Sequence, residues 1–107
     1  MRRLPPALAA TATQRILELL GDGPGRVLEL GFAGIHARPL ELAGWDVVVA
    51  EADPVRAEQA RQRGARVVGL AEGRFEAVVA PSGTDLAGVD AVKIVLVDEH
   101  GHASMAG

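Results

Sequence analysis

The sequence predicts an α/β fold, a minimal doubly wound, mostly parallel sheet of about five strands in the order 3-2-1-4-5 with flanking helices. Three observations predict it. Short apolar runs alternate with helix-like segments, glycines stand at the junctions between them, and the 107 residues contain no internal repeat. Because a chain of this length builds one modest core, we expect residues 1–107 to form a single domain.

The first predicted helix begins after Pro5-Pro6 and ends at Gly21. Apolar residues recur on one of its faces, and we expect that face to cover one side of the sheet. These residues are Leu8, Ala12, Ile16, Leu19 and Leu20.

The first two strands are joined by a short helix. Residues 21–25 are rich in glycine and proline and turn the chain into the first strand at residues 27–30. The second helix is predicted to begin within residues 35–38 and to end at Gly44. A second apolar run at residues 47–50 then predicts the second strand.

The third helix has a clear start signal. Asp53 is expected to cap its free amides, and Pro54 suits the first helical position, where a missing amide hydrogen costs nothing. The helix is predicted to end at Gly64, directly before a third strand at residues 65–69.

The last part of the chain contains two further apolar runs. They predict strands at residues 74–79 and 93–98, with a loop and at most one helical turn, at residues 86–89, between them. We expect no strand after the fifth, so that its edge is exposed. Because an unpaired edge invites pairing with another chain, we expect a second copy to cover this edge or the apolar surface beside it, giving a homodimer.

Two glycines and one acid stand where the first two strands end. Gly31 and Gly34 follow the first strand directly, so the chain can turn beneath a ligand without intervening side chains. Glu51 closes the second strand about 20 residues further on, where a carboxylate accepts hydrogen bonds from ribose hydroxyls. This spacing indicates a small-molecule site for an adenosine-type nucleoside.

The motifs Leu28-Glu29-Leu30-Gly31 and Glu51-Ala52-Asp53-Pro54 resemble the S-adenosylmethionine-dependent methyltransferases of the Rossmann-like class. The likeness extends to the amphipathic first helix and to the later strands, and therefore covers most of the chain. Arg38-Pro39-Leu40 is similar to the ribosomal RNA adenine dimethylase branch of that family.

The resemblance implies a small, truncated methyltransferase that binds S-adenosylmethionine as its cofactor and transfers a methyl group to a small acceptor. It also implies which residues line the cofactor site. They are Glu29, Gly31, Phe32, Ala33, Gly34, Glu51, Ala52, Glu72 and Ala80.

The chain departs from the family at three places. Ile35 stands where the family has its third alternating glycine, and Leu70 where it often has an acid for the adenine amino group. Glu72 is expected to replace that acid. After the fourth strand, Ala80-Pro81-Ser82-Gly83 lacks the family's Asn/Asp-Pro-Pro-Tyr signature, so no catalytic residue is assigned.

Two alternatives therefore stay open. One is a non-catalytic module that keeps the sheet and acts by dimerisation or docking, which Ile35 and Leu70 favour. The other is an NAD-binding regulatory domain, since Gly31 and Gly34 followed by Glu51 also resemble dinucleotide-binding regulators of ion channels. His36 in place of a third glycine fits that fingerprint poorly.

Three histidines are further candidates. His100 and His102 follow Asp98 and Glu99, a cluster that suits a metal ion or a general base, but a solvated tail is the favoured interpretation. His36 lies nearer the predicted ligand. Ser82 and Thr84 have no histidine and acid spaced to form a catalytic triad, and no metal site is predicted.

Composition excludes several other classes. The net charge is −3 with dispersed arginines, which disfavours a nucleic-acid partner. No apolar run is long enough to span a membrane, and Pro5-Pro6 interrupts any export signal. With no cysteine there is no disulfide or thiolate chemistry, and we expect a cytoplasmic protein.

Overall fold

The computed structural model describes residues 6–106 and, from residue 11 onward, their side chains. Pro5, which the helix prediction used, lies outside the described residues, and the side chain of Leu8, which it placed on the buried face, lies outside the described side chains. The elements in chain order are α1 (Pro6–Leu20), β1 (Arg26–Leu30), α2 (Ala37–Leu42), β2 (Asp46–Ala50), α3 (Pro54–Gln62), β3 (Arg66–Val68), β4 (Gly73–Pro81), β5 (Val89–Val97) and β6 (Ala103–Ala106).

The described strands form one sheet in the order β3-β2-β1-β4-β5-β6. The first five strands are parallel, which confirms the predicted α/β class and the predicted order of those five. The expectation that no strand follows the fifth is wrong. β6 pairs antiparallel with β5, with Val97 opposite Ala103 and Ile94 opposite Ala106, so the β5 edge that we expected a second copy to cover is covered by the chain itself.

A tight turn makes this last pairing possible. The Asp98 carboxylate accepts hydrogen bonds from the backbone amides of His100 and His102, both at 2.9 Å, and Gly101 adopts a left-handed φ of 80°. An aspartate that binds the amides just ahead of it forms its own turn, and this reverses the chain directly after β5. The residues interpreted as a solvated tail are therefore a hairpin turn.

All three helices pack on one face of the sheet. Most of their buried residues join one cluster with the side chains that β1, β2, β4 and β5 direct to that side, because alternate residues of a strand point to opposite faces. The central members include Ile16 of α1, Leu40 of α2, Ala60 of α3, and Val27 and Val49 of the strands.

The opposite face carries a second cluster of strand residues, with Leu28, Val48 and Val78 at its centre. Among the described residues no helix contributes to it. Ala71, from the β3–β4 connection, and Leu86, from the β4–β5 connection, pack against it instead. The helical turn considered for residues 86–89 does not form, and both connections cross without a helix.

Candidate nucleoside site

The candidate site lies where the strand order reverses. β1 has β2 on one side and β4 on the other, and Leu30 lies opposite Ala50, so Gly31 and Glu51 leave the sheet side by side. In open α/β sheets, ligands bind beyond the carboxyl ends of the strands at such a switch point. Residues 31–36, here called the glycine loop, form its floor.

The glycine loop is coiled tightly by left-handed residues. Gly31, Ala33 and Gly34 have φ values of 75°, 51° and 81°. For alanine this conformation costs about 1–2 kcal/mol, so surrounding contacts hold the loop in place. A Cβ on Gly34 would lie 3.2 Å from both the Cα and the Cβ of Ala60, so glycine lets the loop pack against α3.

Glu29 supports the loop from below. Its side chain is fully buried, and Oε1 accepts a 2.9 Å hydrogen bond from the His36 amide. Burial raises the pKa of Glu29 to about 7, although bonds from the His36 and Gly34 amides act in the opposite direction. Its second oxygen, Oε2, has no hydrogen-bond partner among the described residues. The role this structure gives Glu29 is to order the loop.

His36 links the loop to α1. Its Nδ1 lies 2.5 Å from the Thr13 hydroxyl, and its ring meets the Phe32 ring edge to face at 4.7 Å. The ring is fully buried, and burial lowers its pKa to about 4, so His36 is neutral near pH 7. His36 therefore belongs to the interior of the loop, and Phe32 is buried with it in the helix-side cluster.

Glu51 extends past the end of β2 beside the loop. Its side chain is 10% exposed, and Oε2 is buried without a hydrogen-bond partner among the residues described. The nearest cation is Arg56, whose Nε lies 3.8 Å from that oxygen. Such an oxygen can accept a hydrogen bond from a ribose hydroxyl.

Two arginines bind carbonyl groups of the glycine loop, Arg56 from the first turn of α3 and Arg63 from the residue that ends this helix. Arg56 Nη2 donates to the Gly31 carbonyl at 2.5 Å, and Arg63 Nη1 donates to the Ala33 carbonyl at 2.8 Å. Sequence reasoning missed both contacts, because arginines on a helix usually face solvent. The only signal was their position on the helix that follows Glu51.

The remaining predicted site residues differ in their burial and in their position relative to the switch point. Ala80 is fully buried near the end of β4, and Ala52 is exposed beside Glu51. Glu72 is exposed next to Gly73, at the amino end of β4, whereas the glycine loop follows the carboxyl end of the neighbouring parallel strand β1. The structure therefore does not bring Glu72 to the switch point.

Residues that departed from the family pattern also have clear positions. Ile35 is half-buried and packs against the helix-side cluster, and Leu70 is 65% exposed in the β3–β4 connection. Thr84 donates a 2.6 Å hydrogen bond to the Pro81 carbonyl and closes a local turn after β4. The space beyond Ala80 therefore contains turn residues and an exposed Ser82.

The histidine pair lies in the β5–β6 turn. His100 and His102 are exposed, with ring centroids 6.3 Å apart. Hydrogen bonds from the His102 and His100 amides lower the pKa of Asp98. Within residues 6–106, no group of three or more His, Cys, Asp or Glu residues is arranged to hold a metal ion.

None of the helices in residues 6–106 combines the length and the apolar character needed to cross a bilayer. Neither a protein-family model nor a curated protein matches this chain.

Proposed function

We propose that the chain binds S-adenosylmethionine, or a closely related adenosine-type ligand, at the carboxyl ends of β1, β2 and β4. The observation that carries the proposal is the buried Oε2 of Glu51 beside the glycine loop, which accepts no hydrogen bond from the described residues and has only Arg56 Nε, 3.8 Å away, as an ionic neighbour. A buried polar atom without a partner costs free energy, and a ribose hydroxyl would provide the missing hydrogen bond.

Two features of the surroundings support this ligand class. Gly31, which is half-buried at the start of the glycine loop, has no side chain to keep a nucleoside away from the backbone. Glu51 lies at the end of the strand next to β1, the position from which an acid binds ribose in doubly wound folds.

Methyl transfer to a small acceptor is the reaction that this ligand would support. The reaction needs mainly proximity and in-line geometry, so a short domain with no dedicated base is sufficient in principle. In this proposal the acceptor enters over Ala80 and Ser82, beyond the end of β4. No residue is assigned a catalytic role.

A second candidate function is a non-catalytic module that has lost its ligand. The Arg56 side chain favours it, because it spans the space between the Gly31 carbonyl and the Glu51 carboxylate. In this reading the buried Glu51 oxygen is balanced by the nearby Arg56 guanidinium and needs no ligand.

Calorimetric titration with S-adenosylhomocysteine, S-adenosylmethionine, NADH and ATP separates these functions. We expect binding of the first two and about a tenfold or greater loss of affinity in Glu51→Gln, since the ribose would lose a charged acceptor. Glu58→Gln, which removes an exposed acid of α3, is the matched control and should bind like the wild type. No binding, or equal binding by Glu51→Gln, would falsify the proposal, and a preference for NADH would favour the dinucleotide alternative.

A further inference from the structure

Arg56 reaches back from the first turn of α3 over the glycine loop. Its guanidinium donates to the Gly31 carbonyl at 2.5 Å, and its Nε lies 3.8 Å from Glu51 Oε2. We call this pair of contacts the Arg56 bridge. The backbone of Arg56 is held in place by Asp53, whose carboxylate caps α3 and accepts a 3.0 Å hydrogen bond from the Arg56 amide.

The Arg56 bridge joins the same two groups that the proposed function assigns to the nucleoside. A ribose diol needs the Glu51 carboxylate as acceptor, and it must also pass close to Gly31 to reach it. The guanidinium contacts both groups, and the Arg56 side chain as a whole is only 35% exposed, so it covers the carboxylate from one side. Ribose and guanidinium therefore compete for one carboxylate.

We propose that Arg56 closes the ligand-free site and thereby sets the ligand affinity. This inference rests on the proposed function. On binding, the long arginine side chain leaves Glu51 and turns outward to solvent, while its backbone stays fixed by the Asp53 cap. Since the open state must be populated before ribose can bind, the stability of the Arg56 bridge lowers the apparent affinity.

Arg63 provides a matched comparison within the same helix region. Its guanidinium also donates to a glycine-loop carbonyl, that of Ala33 at 2.8 Å. The structure records no ion pair between Arg63 and Glu51 among the described side chains. Loss of Arg63 should therefore loosen the loop without uncovering the carboxylate.

The first test compares the affinities of three proteins for S-adenosylhomocysteine and for adenosine by calorimetry. We expect Arg56→Met to bind about 5- to 10-fold more tightly than the wild type, because one partly exposed ion pair and one charged hydrogen bond no longer have to be broken. Arg63→Met should bind no more tightly than the wild type. Methionine keeps the apolar stem of each arginine and removes only the charge and donors.

The second test needs no ligand. Amide hydrogen exchange of Ile35 and His36 should be faster in Arg56→Met than in the wild type, since the bridge holds the loop to the end of β2. Unchanged exchange would show that Arg56 does not close the site. Thermal melting of each variant establishes that it is folded.

The outcomes distinguish the two proposals. Wild-type binding with no gain in Arg56→Met overturns the role of Arg56 and leaves the proposed function standing. Absence of binding in all three proteins overturns the proposed function and, with it, the effect of Arg56 on affinity. Tighter binding by Arg56→Met together with faster exchange supports both.

Discussion

The two faces of the sheet are covered in different ways. On one face, α1, α2 and α3 pack over the strands and bury Ile16, Leu40 and Ala60. On the other face, the described chain offers two connections without helices, from which Ala71 and Leu86 contact the strands. The difference shows that a parallel sheet, which normally carries helices on both faces, can bury its central residues with one helical layer and two crossovers.

The two faces also differ in polarity. The two buried ionisable residues of the described chain are both on the helix side: Glu29 lies beneath the glycine loop, and His36 lies inside it. The cluster on the other face consists of apolar residues alone. The helix-covered face therefore combines packing with the buried polar groups that support the glycine loop, whereas the other face buries apolar residues.

The largest expected effect is a loss of core packing on the helix side. Leu40→Ala should lower the free energy of unfolding by about 3 kcal/mol, because Leu40 is fully buried and its truncation to alanine leaves a cavity. Leu86→Ala should cost about 1 kcal/mol, since Leu86 is half-buried in a connection. Urea unfolding of both variants measures the difference. Equal losses would show that the two faces are packed alike.

The next prediction concerns the pH dependence of stability, which should come from the helix side. Glu29 has its pKa raised from 4.5 to about 7, so its contribution to stability is present at low pH and is lost as the pH rises to 7. His36 has its pKa lowered from 6.5 to about 4, so its contribution is present above pH 6.5 and is lost as the pH falls to 4.

These two slopes have opposite signs and should cancel between pH 4.5 and 6.5. When one of the two residues is replaced by glutamine, the free energy of unfolding should follow the other residue alone and change by about 1.4 kcal/mol per pH unit. Stability should therefore rise with pH in Glu29→Gln and fall with pH in His36→Gln, while the wild type stays nearly flat. Arg63 and Glu51 also act on Glu29, with smaller and opposite effects. Denaturant unfolding across this pH range is the measurement, and parallel profiles for all three proteins would contradict the prediction.

A smaller effect is expected where the glycine loop meets α3. Gly34→Ala should cost about 2 kcal/mol, because the new methyl group lies 3.2 Å from Ala60 and the residue must keep a positive φ. Gly83→Ala, on the connection across the other face, has a similar φ of 85° but open space around it. It should cost about 1 kcal/mol. Thermal melting of both variants checks this, and an identical cost would mean that the Gly34 contact relaxes freely.

The smallest expected effect is the loss of a hydrogen bond between an aspartate side chain and a backbone amide two or three residues later in the chain. Asp53 accepts the Arg56 amide and starts α3, so Asp53→Ala should cost about 1 kcal/mol. Asp85 accepts the Ala87 amide in a connection where no helix follows, so Asp85→Ala should cost roughly 0.3 kcal/mol. Chemical unfolding resolves this difference. An equal cost would show that the helix start adds nothing to the cap.

Much of the fold was predictable because its signals are local. Apolar runs flanked by glycines identified the five parallel strands, and Asp53-Pro54 identified the start of α3. β6 was missed because Ala103–Ala106 contains no β-branched residue and only one large apolar one. The turn signal before it, Asp98 followed by Gly101, was present and was attributed to a tail.

The candidate site was predictable only in part. The positions of Gly31 and Glu51 follow from strand ends in register, which a sequence pattern can reveal. The contacts of Thr13 with His36 and of Arg56 with Gly31 join residues far apart in the chain. No local propensity encodes such contacts, because they depend on how α1 and α3 pack against the loop.

The connection from β4 to β5 has a consequence for engineering. Gly83 and Gly88 both have open space around them, and the residues between them are exposed or half-buried. Surface loops of this kind tolerate added length, since loop-closure entropy grows only slowly with chain length. A peptide tag or a small reporter module grafted at residues 83–88 should therefore leave the glycine loop, on the helix-covered side, undisturbed.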